Sequence, residues 1–285
     1  MSAAANPWLD RRFFHWAHQG GARENPSNTL RAMREARTVG AHGLEFDVHG
    51  TSDDVLVLAH DRSLKRMTGD PRKIRDLSLH EVQQLDAAHN WVPGEVDVQG
   101  APDESMYQLR HRGPGPVDET LTLPTLESIL VEFADMPVNI ELKAPGYEQT
   151  LADILAKHGR TDDVIVVAFN GRTLSRFRKL APSVPVAPGR LFVGLFWLLS
   201  RIGIALANPG YVALQVPDRM FGIQVTDKRL VDKAHSRGLA VHVWTVDDRD
   251  RMVAAVATGA DGIMTDRPSV LAALLAERGI GWSKR

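Results

Sequence analysis

Cysteine is absent from this chain of 285 residues. Disulfide bonds, zinc sites with thiolate ligands and thiol nucleophiles are therefore excluded as sources of stability or chemistry. Any metal ion that the protein binds must be held by oxygen or imidazole ligands.

Net charge is almost absent as well. Lys and Arg number 34, Asp and Glu number 35, and the formal net charge is −1. This balance gives no overall counterion-release drive for binding a polyanion, so we expect no nucleic acid partner. The hydrophobic fraction of 44% and the charged fraction of 24% are typical of a globular protein with a sizeable core.

Long hydrophobic runs are also missing. Residues 1–12 contain no apolar stretch of signal-peptide length, which predicts a cytoplasmic location. The longest apolar run, residues 191–207, is interrupted by Ser200 and Arg201 and is shorter than the roughly 20 residues that a spanning helix needs. Two interpretations of segment 191–206 stay open: a helix that packs on the barrel, or a lid that contacts an acyl chain or makes peripheral contact with a membrane.

Short β-rich segments alternate with helical patterns along most of the chain, which indicates βαβ units around a parallel sheet. Most of these segments are rich in Val and Ile without strict alternation, as in strands covered on both faces. Glycine ends the preceding helix at three helix-to-strand junctions, Gly40, Gly238 and Gly259. The predicted strands are residues 13–17, 43–48, 138–142, 164–169, 184–187, 222–225, 240–246 and 262–264.

This repetition predicts one α/β domain over residues 1–285 with the architecture of a TIM-type (β/α)8 barrel, a fold that runs to about 250 residues and more. Residues 61–122 break the repetition, because they are rich in polar residues, Gly and Pro. We interpret them as an insertion between the second and third barrel strands that lies over one end.

Acidic residues follow the predicted strands at the end where barrel enzymes carry their chemistry. Glu45 and Asp47 are two residues apart, so in a strand both side chains point to one face. Two buried carboxylates repel each other unless one is protonated or a cation lies between them. Glu141, at the end of the next barrel strand, could complete an all-oxygen site for one divalent cation, Mg²⁺ or Ca²⁺, with Mn²⁺ as a third candidate.

Two histidines lie at neighbouring strand ends. His18 follows the first strand, and His60 ends the apolar run 55–59. Taken singly, each has an ordinary explanation, a hydrogen-bonded core or turn histidine, just as an acidic pair can be an ion pair or a cap. Their joint occurrence at successive strand ends favours an active site.

Eight motifs in order resemble those of the glycerophosphodiester phosphodiesterase family, and together they span nearly the whole chain. Any one of them is weakly specific, whereas eight in sequence are strongly specific. They are His18-Gln19-Gly20-Gly21, Pro26-Ser27-Asn28-Thr29-Leu30, Gly43-Leu44-Glu45-Phe46-Asp47-Val48, Val57-Leu58-Ala59-His60-Asp61 with Met67-Thr68-Gly69, Leu123-Pro124-Thr125-Leu126-Glu127, Asn139-Ile140-Glu141-Leu142-Lys143, Val243-Trp244-Thr245-Val246 and Gly259-Ala260-Asp261-Gly262-Ile263-Met264-Thr265-Asp266-Arg267-Pro268.

The resemblance implies a role for each matching residue. His18 and His60 would be the acid/base pair, and Glu45, Asp47 and Glu141 would hold the divalent cation. Substrate contacts would come from Lys143 near the phosphate, from Trp244 in the pocket and from Gln19 as a candidate phosphate contact.

Two positions depart from the family pattern. The usual His-Arg-Gly is His18-Gln19-Gly20, so a neutral amide replaces a cation that would form a fork to a phosphate. The usual Pro-Glu-Asn-Thr has Ser27 in place of the glutamate. Arg23 and Glu24, a few residues away, are candidates to replace the lost pair in space. These changes bear on the identity of the substrate more than on the type of reaction.

The function implied is metal-dependent hydrolysis of glycerophosphodiesters to glycerol 3-phosphate and an alcohol. One alternative is a lipid-directed phosphodiesterase of the lysophospholipase D type, which would use the same site on lysophospholipids. A second alternative is a noncatalytic barrel that serves as a binding module. The sequence leaves open the head group, the metal, the nucleophile and the oligomeric state.

Overall fold

Apolar segments that are buried on both faces build a parallel sheet. The computed structural model describes residues 6–9, 13–92 and 118–281. In this part of the chain the sheet consists of β1 (Phe14–His18), β2 (Gly43–Gly50), β4 (Val138–Leu142), β5 (Val164–Val167), β6 (Ala213–Pro217), β9 (Ala240–Trp244) and β10 (Gly262–Thr265), with the short β3 (Leu56–Leu58) antiparallel to β2.

The strand order β5-β4-β2-β1-β10-β9-β6 leaves one gap, between β5 and β6. Residues 184–187, which the sequence predicts to be a strand, fill this gap. The Val166 amide donates to the Pro185 carbonyl, and the Val212 amide donates to the Val186 carbonyl. The parallel sheet therefore closes into the predicted TIM-type barrel, with an eighth position occupied by a segment that forms only a single bridge, Val166 to Val186.

One predicted strand is wrong. Residues 222–225 do not join the barrel; they contribute β8 (Ile223–Gln224), which forms an exposed antiparallel hairpin with β7 (Arg219–Met220). The barrel strand is β6, a few residues earlier, and it pairs in parallel with β9. The alternating apolar pattern of Ile223 and Val225 resembles a barrel strand, but the amides of Val225 and Thr226 turn back to the Asp218 carbonyl.

Helices connect the strands on the outside of the barrel, and several begin at a side-chain cap. Thr29, Thr125, Asp227 and Asp248 each accept a hydrogen bond from an amide in the first turn of the helix that follows. The helices are α1 (Leu30–Thr38), α2 (Lys65–Thr68), α3 (Leu79–Gln83), α4 (Leu126–Glu132), α5 (Glu148–Lys157), α6 (Gly171–Leu180), α7 (Arg190–Arg201), α8 (Lys228–His235), α9 (Arg249–Ala257) and α10 (Pro268–Glu277).

The inward faces of the strands divide the barrel into an apolar end and a polar end. Trp16 of β1 stacks on both Phe14 and Trp8, and the Phe14 and Trp8 rings contact each other at a tilt, so the three rings fill the end where the strands begin. His18 is two residues beyond Trp16 on the same face, where the strands end. The apolar end therefore supports a floor on which the polar side chains are arranged.

The chain between β2 and β4 forms a small core of its own. Val57, Leu64, Met67, Ile74 and Val82 are buried together there. Residues 93–117 lie outside the described residues, so the insertion at 61–122 stays a prediction in its full extent.

Nowhere in the described ranges is a helix both long enough and apolar enough to cross a bilayer.

Candidate active site

The strand register brings the predicted site residues together. His18 of β1 lies beside Glu45 of β2, and Asp47 of β2 lies beside Glu141 of β4. Because parallel strands end at one rim, residues that are distant in sequence become neighbours. His18, Glu45, Asp47, His60, Glu141, Lys143 and Trp244 all line one cavity of about 770 Å³.

The floor of this cavity is strongly acidic. Glu45, Asp47 and Glu141 are buried there. The Lys143 ammonium bridges two of them, with Nζ 2.9 Å from Asp47 Oδ1 and 2.9 Å from Glu141 Oε2. Burial lowers the pKa of Lys143, but the two carboxylates outweigh it and raise that pKa above its usual value.

The single positive charge of this lysine does not balance the negative charge of the three carboxylates. Burial raises the pKa of Glu45 to about 7, against the opposing influence of His18 and with a further rise from Asp47. Burial also raises the pKa of Glu141. Asp47 Oδ2 is buried without a hydrogen-bond partner. A buried carboxylate oxygen with no partner is costly, so these groups favour a proton or a cation in their midst.

His18 is held by an acid that sequence reasoning missed. Its Nδ1 lies 2.6 Å from Asp266 Oδ1, and its Nε2 lies 3.8 Å from Glu45 Oε2. Burial lowers the pKa of His18, but Asp266 and Glu45 outweigh this and raise it to about 10. Asp266 was visible only as part of a motif at the end of the last barrel strand, and its proximity to His18 requires the barrel to close.

Asp266 is itself held in place by a second acid. Its amide donates to Asp247 Oδ1 at 2.8 Å, and Arg23 Nε donates to Asp247 Oδ2 at 3.0 Å. Arg23 and Glu24 are therefore not substitutes for the missing family pair: Arg23 binds Asp247, Glu24 binds Ser269, and neither lines the cavity.

His60 lies on the more open side of the cavity, where 43% of its side chain is exposed. Its Nδ1 is 2.7 Å from Asp61 Oδ1, and Arg66 Nε donates to Asp61 Oδ2 at 2.6 Å. Each of the two histidines thus has one ring nitrogen held by an aspartate.

Gln19 lies behind the floor rather than on the cavity surface. It has a positive φ of 51°, its amide donates to Glu45 Oε2 at 3.2 Å, and its Oε1 is buried without a partner. The adjacent Gly20 also has positive φ, and a Cβ there would lie 2.7 Å from Ala32. The His-Gln-Gly turn therefore needs this glycine, and its Gln19 amide positions Glu45.

Another part of the cavity lining is apolar and aromatic. Trp244 lies near Phe169, and Lys143 Nζ is 5.4 Å from the centre of the Phe169 ring. Gln215 Nε2 donates to Asn139 Oδ1 at 2.8 Å, which adds a polar pair that sequence reasoning missed. Further apolar lining comes from Pro188, Val193, Trp197, Met220, Phe221, Ile223 and Val225.

The donor set of the floor suits a hard divalent cation. No group of three His, Asp or Glu side chains in the described ranges is already arranged as a ligand cluster, and the Lys143 ammonium lies between Asp47 and Glu141. Among the described residues, the ion pairs of four carboxylates, those of Glu45, Asp47, Glu141 and Asp266, are made with two basic groups, Lys143 and His18. With both bases protonated and all four carboxylates ionised, two negative charges are left over, and carboxylate oxygens are the ligands that Mg²⁺ and Ca²⁺ prefer.

Comparisons with known proteins agree with this geometry. The model of the glycerophosphoryl diester phosphodiesterase family matches residues 18–270. The chain is 29% identical over 273 residues to the glycerophosphodiester phosphodiesterase of Caldanaerobacter subterraneus subsp. tengcongensis, covering 92% of this chain and 98% of that one. It is 27% identical to a human lysophospholipase D, covering 90% and 84% respectively.

A solved structure has the same fold. The phosphodiesterase of Oleispira antarctica, in complex with the product sn-glycerol-3-phosphate, superposes with a TM-score of 0.67 at 22% identity, over 92% of this chain and 96% of that one. Since the family model spans most of the sequence, the chain belongs to the glycerophosphoryl diester phosphodiesterase family.

Proposed function

We propose that this protein hydrolyses glycerophosphodiesters to glycerol 3-phosphate and an alcohol. The observation that carries the proposal is that two histidines, three carboxylates and one lysine line a single cavity at the rim where the barrel strands end. Relatives that bear this activity in their names, and one that holds glycerol 3-phosphate as product, support it.

His18 and His60 are the proposed acid/base pair. One removes a proton from the attacking oxygen as the new P–O bond forms, and the other donates a proton to the departing alkoxide as the old P–O bond breaks. The attacking oxygen belongs either to water or to the neighbouring hydroxyl of the glycerol, in which case a cyclic phosphate forms first and water opens it. The paired aspartates, Asp266 and Asp61, support this role because each fixes one ring nitrogen and so aims the other.

Glu45, Asp47 and Glu141 are the proposed ligands of one divalent cation, Mg²⁺ or Ca²⁺, with Mn²⁺ as a third candidate. The cation would supply positive charge for the nonbridging phosphate oxygens, which become more negative as the phosphodiester is attacked. Lys143 would share that role, because its ammonium is the cationic side chain nearest these acids.

Gln19 and Trp244 are the remaining proposed substrate contacts. Trp244 lines the cavity next to Phe169, which supports contact with the alcohol or glycerol portion. For Gln19 the support is indirect, since its amide orients Glu45 while its side chain is buried.

Histidine variants test the proposed function. We expect His18→Ala and His60→Ala each to lower the rate of glycerol 3-phosphate release from glycerophosphocholine by about 100-fold or more. His80→Ala is a matched control, because His80 is an exposed histidine of α3 outside the cavity. Near-normal turnover by His18→Ala or by His60→Ala would remove that residue from its role. A wild type that binds these substrates without turning them over would favour the noncatalytic alternative.

A second function, of the lysophospholipase D type, is favoured by the apolar part of the cavity lining. Val193 and Trp197, within segment 191–206, line the same cavity as the catalytic candidates, so an acyl chain or a membrane surface could contact that segment. Choline release from lysophosphatidylcholine, measured beside release from glycerophosphocholine, separates the two functions. A higher kcat/KM for the lysolipid would make it the main activity.

A further inference from the structure

Most of the exposed large hydrophobic side chains in the described residues belong to α7 and to the β7–β8 hairpin. Leu191 is 93% exposed and Phe221 is 96% exposed. The Trp197 indole of α7 donates to the Val225 carbonyl directly after the β7–β8 hairpin, so these two elements are neighbours. We define the apolar rim as their exposed apolar residues: Leu191, Leu195, Leu198, Ile202, Met220, Phe221 and Ile223. An exposed patch of this kind marks an interaction surface rather than a core.

Helix α7 carries a row of apolar side chains that does not pack on the barrel. Leu191, Leu195, Leu198 and Ile202 follow one another at spacings of four, three and four, so they lie on one face of the helix. The opposite face packs on the barrel through Phe196, which is fully buried. A helix that needed only to cover the barrel would have polar residues on its outer face.

The hairpin adds an aromatic side chain at its tip. Phe221 sits between the paired residues Met220 and Ile223, with a positive φ of 50°, and Gly222 follows with a φ of 78°. A non-glycine residue with positive φ is uncommon, and an aromatic side chain in this backbone region is unfavourable. The fold thus holds a bulky apolar group away from its own core.

Positive charge is in excess around the apolar rim, although Asp218 and Asp227 flank the hairpin and Asp227 pairs with Arg201 of α7. Residues 164–217 contain no Asp or Glu, but they contain Arg172, Arg176, Arg178, Lys179, Arg190 and Arg201. Arg190 begins α7 and Arg219 begins the hairpin. Neither has an ion-pair partner among the residues that the structure describes.

We propose that the apolar rim docks on the surface of an anionic lipid bilayer. Apolar side chains beside the exposed Arg190 and Arg219 match the two layers of such a surface, the acyl boundary and the anionic head groups. This goes beyond segment 191–206, since it includes the hairpin and selects an anionic surface. Residues Met220, Phe221 and Ile223 also line the catalytic cavity, so docking would open that cavity toward the lipid. Only this last consequence, delivery of a lipid substrate, rests on the proposed function.

Flotation with vesicles tests the docking. Wild type should partition about fivefold or more better onto vesicles of phosphatidylcholine with phosphatidylglycerol than onto phosphatidylcholine alone. The triple variant Leu191→Ser, Leu198→Ser, Ile202→Ser and the single variant Arg219→Glu should each lose most of that binding. Val131→Ser and Arg75→Glu are matched controls, an exposed apolar side chain on α4 and an exposed cation elsewhere, and should bind like wild type.

Hydrolysis of soluble glycerophosphocholine separates this proposal from the catalytic one. The triple variant and Arg219→Glu should retain the wild-type rate, because these side chains lie outside the cavity. Wild-type protein that stays off both vesicles, or partitions equally onto both, would overturn the docking proposal even if hydrolysis is normal. A lipid-free dimer that the triple variant abolishes would overturn it too, since the apolar rim would then bind a second copy of the chain.

Discussion

Replacing Lys143 by methionine should destabilise the protein by about 3 kcal/mol or more when no divalent cation is present. Each of its two contacts, at 2.9 Å, has a gross attraction of about 6 kcal/mol at an effective dielectric constant of about 20. Desolvation of the ammonium offsets much of this attraction. Removal of one partner from a buried ion pair costs about 3 to 5 kcal/mol, and only 14% of the Lys143 side chain is exposed.

The loss of stability caused by Lys143→Met should increase with pH. Burial raises the pKa of Glu45 to about 7, above its unfolded value, so the folded floor takes up a proton as the pH falls below 7. A proton on one carboxylate relieves part of the repulsion that the lost ammonium leaves behind. The Lys143→Met penalty should therefore be larger at pH 8 than at pH 6.

Divalent cations should stabilise the variant more than the wild type. In Lys143→Met the oxygens of Asp47 and Glu141 are released from the ammonium, so a cation meets no competing charge. A cation at about 100 times its Kd stabilises a folded protein by about 2.7 kcal/mol. Binding should therefore recover most of the lost stability.

Denaturant unfolding at pH 6 and pH 8, in chelator and in Mg²⁺ or Ca²⁺, measures all three effects. Lys157→Met is the matched control, because this exposed lysine also contacts a carboxylate, that of Glu127, but at the surface. It should change stability little under any condition. Equal stability of Lys143→Met and wild type in chelator, or an equal cation response in both, would refute this electrostatic account of the floor.

Three further changes test other parts of the structure. Asp266→Asn should lower kcat by about 100-fold or more, change KM much less and shift the pH profile, because it removes the charge that orients His18; an unchanged kcat would contradict this. Burial, with repulsion from the neighbouring His42, lowers the pKa of His15 to about 3. As the pH falls from 6.5 to 5, the wild type should therefore lose about 1 kcal/mol of unfolding free energy per pH unit more than His15→Leu does. Parallel curves of stability against pH for the two proteins in urea unfolding would disprove this. Phe46→Ala should lower the free energy of unfolding in urea by about 3 to 5 kcal/mol, because Phe46 is fully buried. Val131→Ala, at an exposed position, should lower it far less. Similar losses in both variants would contradict the assigned core.

The sequence predicts the barrel and the main site residues for a physical reason. Strand segments buried on both faces have a recognisable apolar composition, and the polar residues that end them must meet at one rim. That geometry brings His18, Glu45 and Glu141 to a common cavity without any knowledge of loop structure.

The features that the sequence could not reveal depend on closure of the barrel and on which of two neighbouring apolar segments becomes a barrel strand. The contact of Asp266 with His18 joins the first and last barrel strands, and the pair Asn139 and Gln215 spans the interior. The choice of residues 213–217 over 222–225 as a barrel strand depends on which segment pairs with β9. Apolar composition is similar in both, so periodicity alone could not decide.

The central claim is that the acidic floor and the two histidines form one cation-dependent phosphodiesterase site. The most direct measurement is the rate of glycerol 3-phosphate release from glycerophosphocholine by the wild type, before chelation, after chelation and after addition of Mg²⁺, Ca²⁺ or Mn²⁺. We expect the rate to fall by about 100-fold or more in chelator and to return with at least one of these cations, but not in Asp47→Asn. An undiminished rate in excess chelator, or full activity of Asp47→Asn, would contradict the claim.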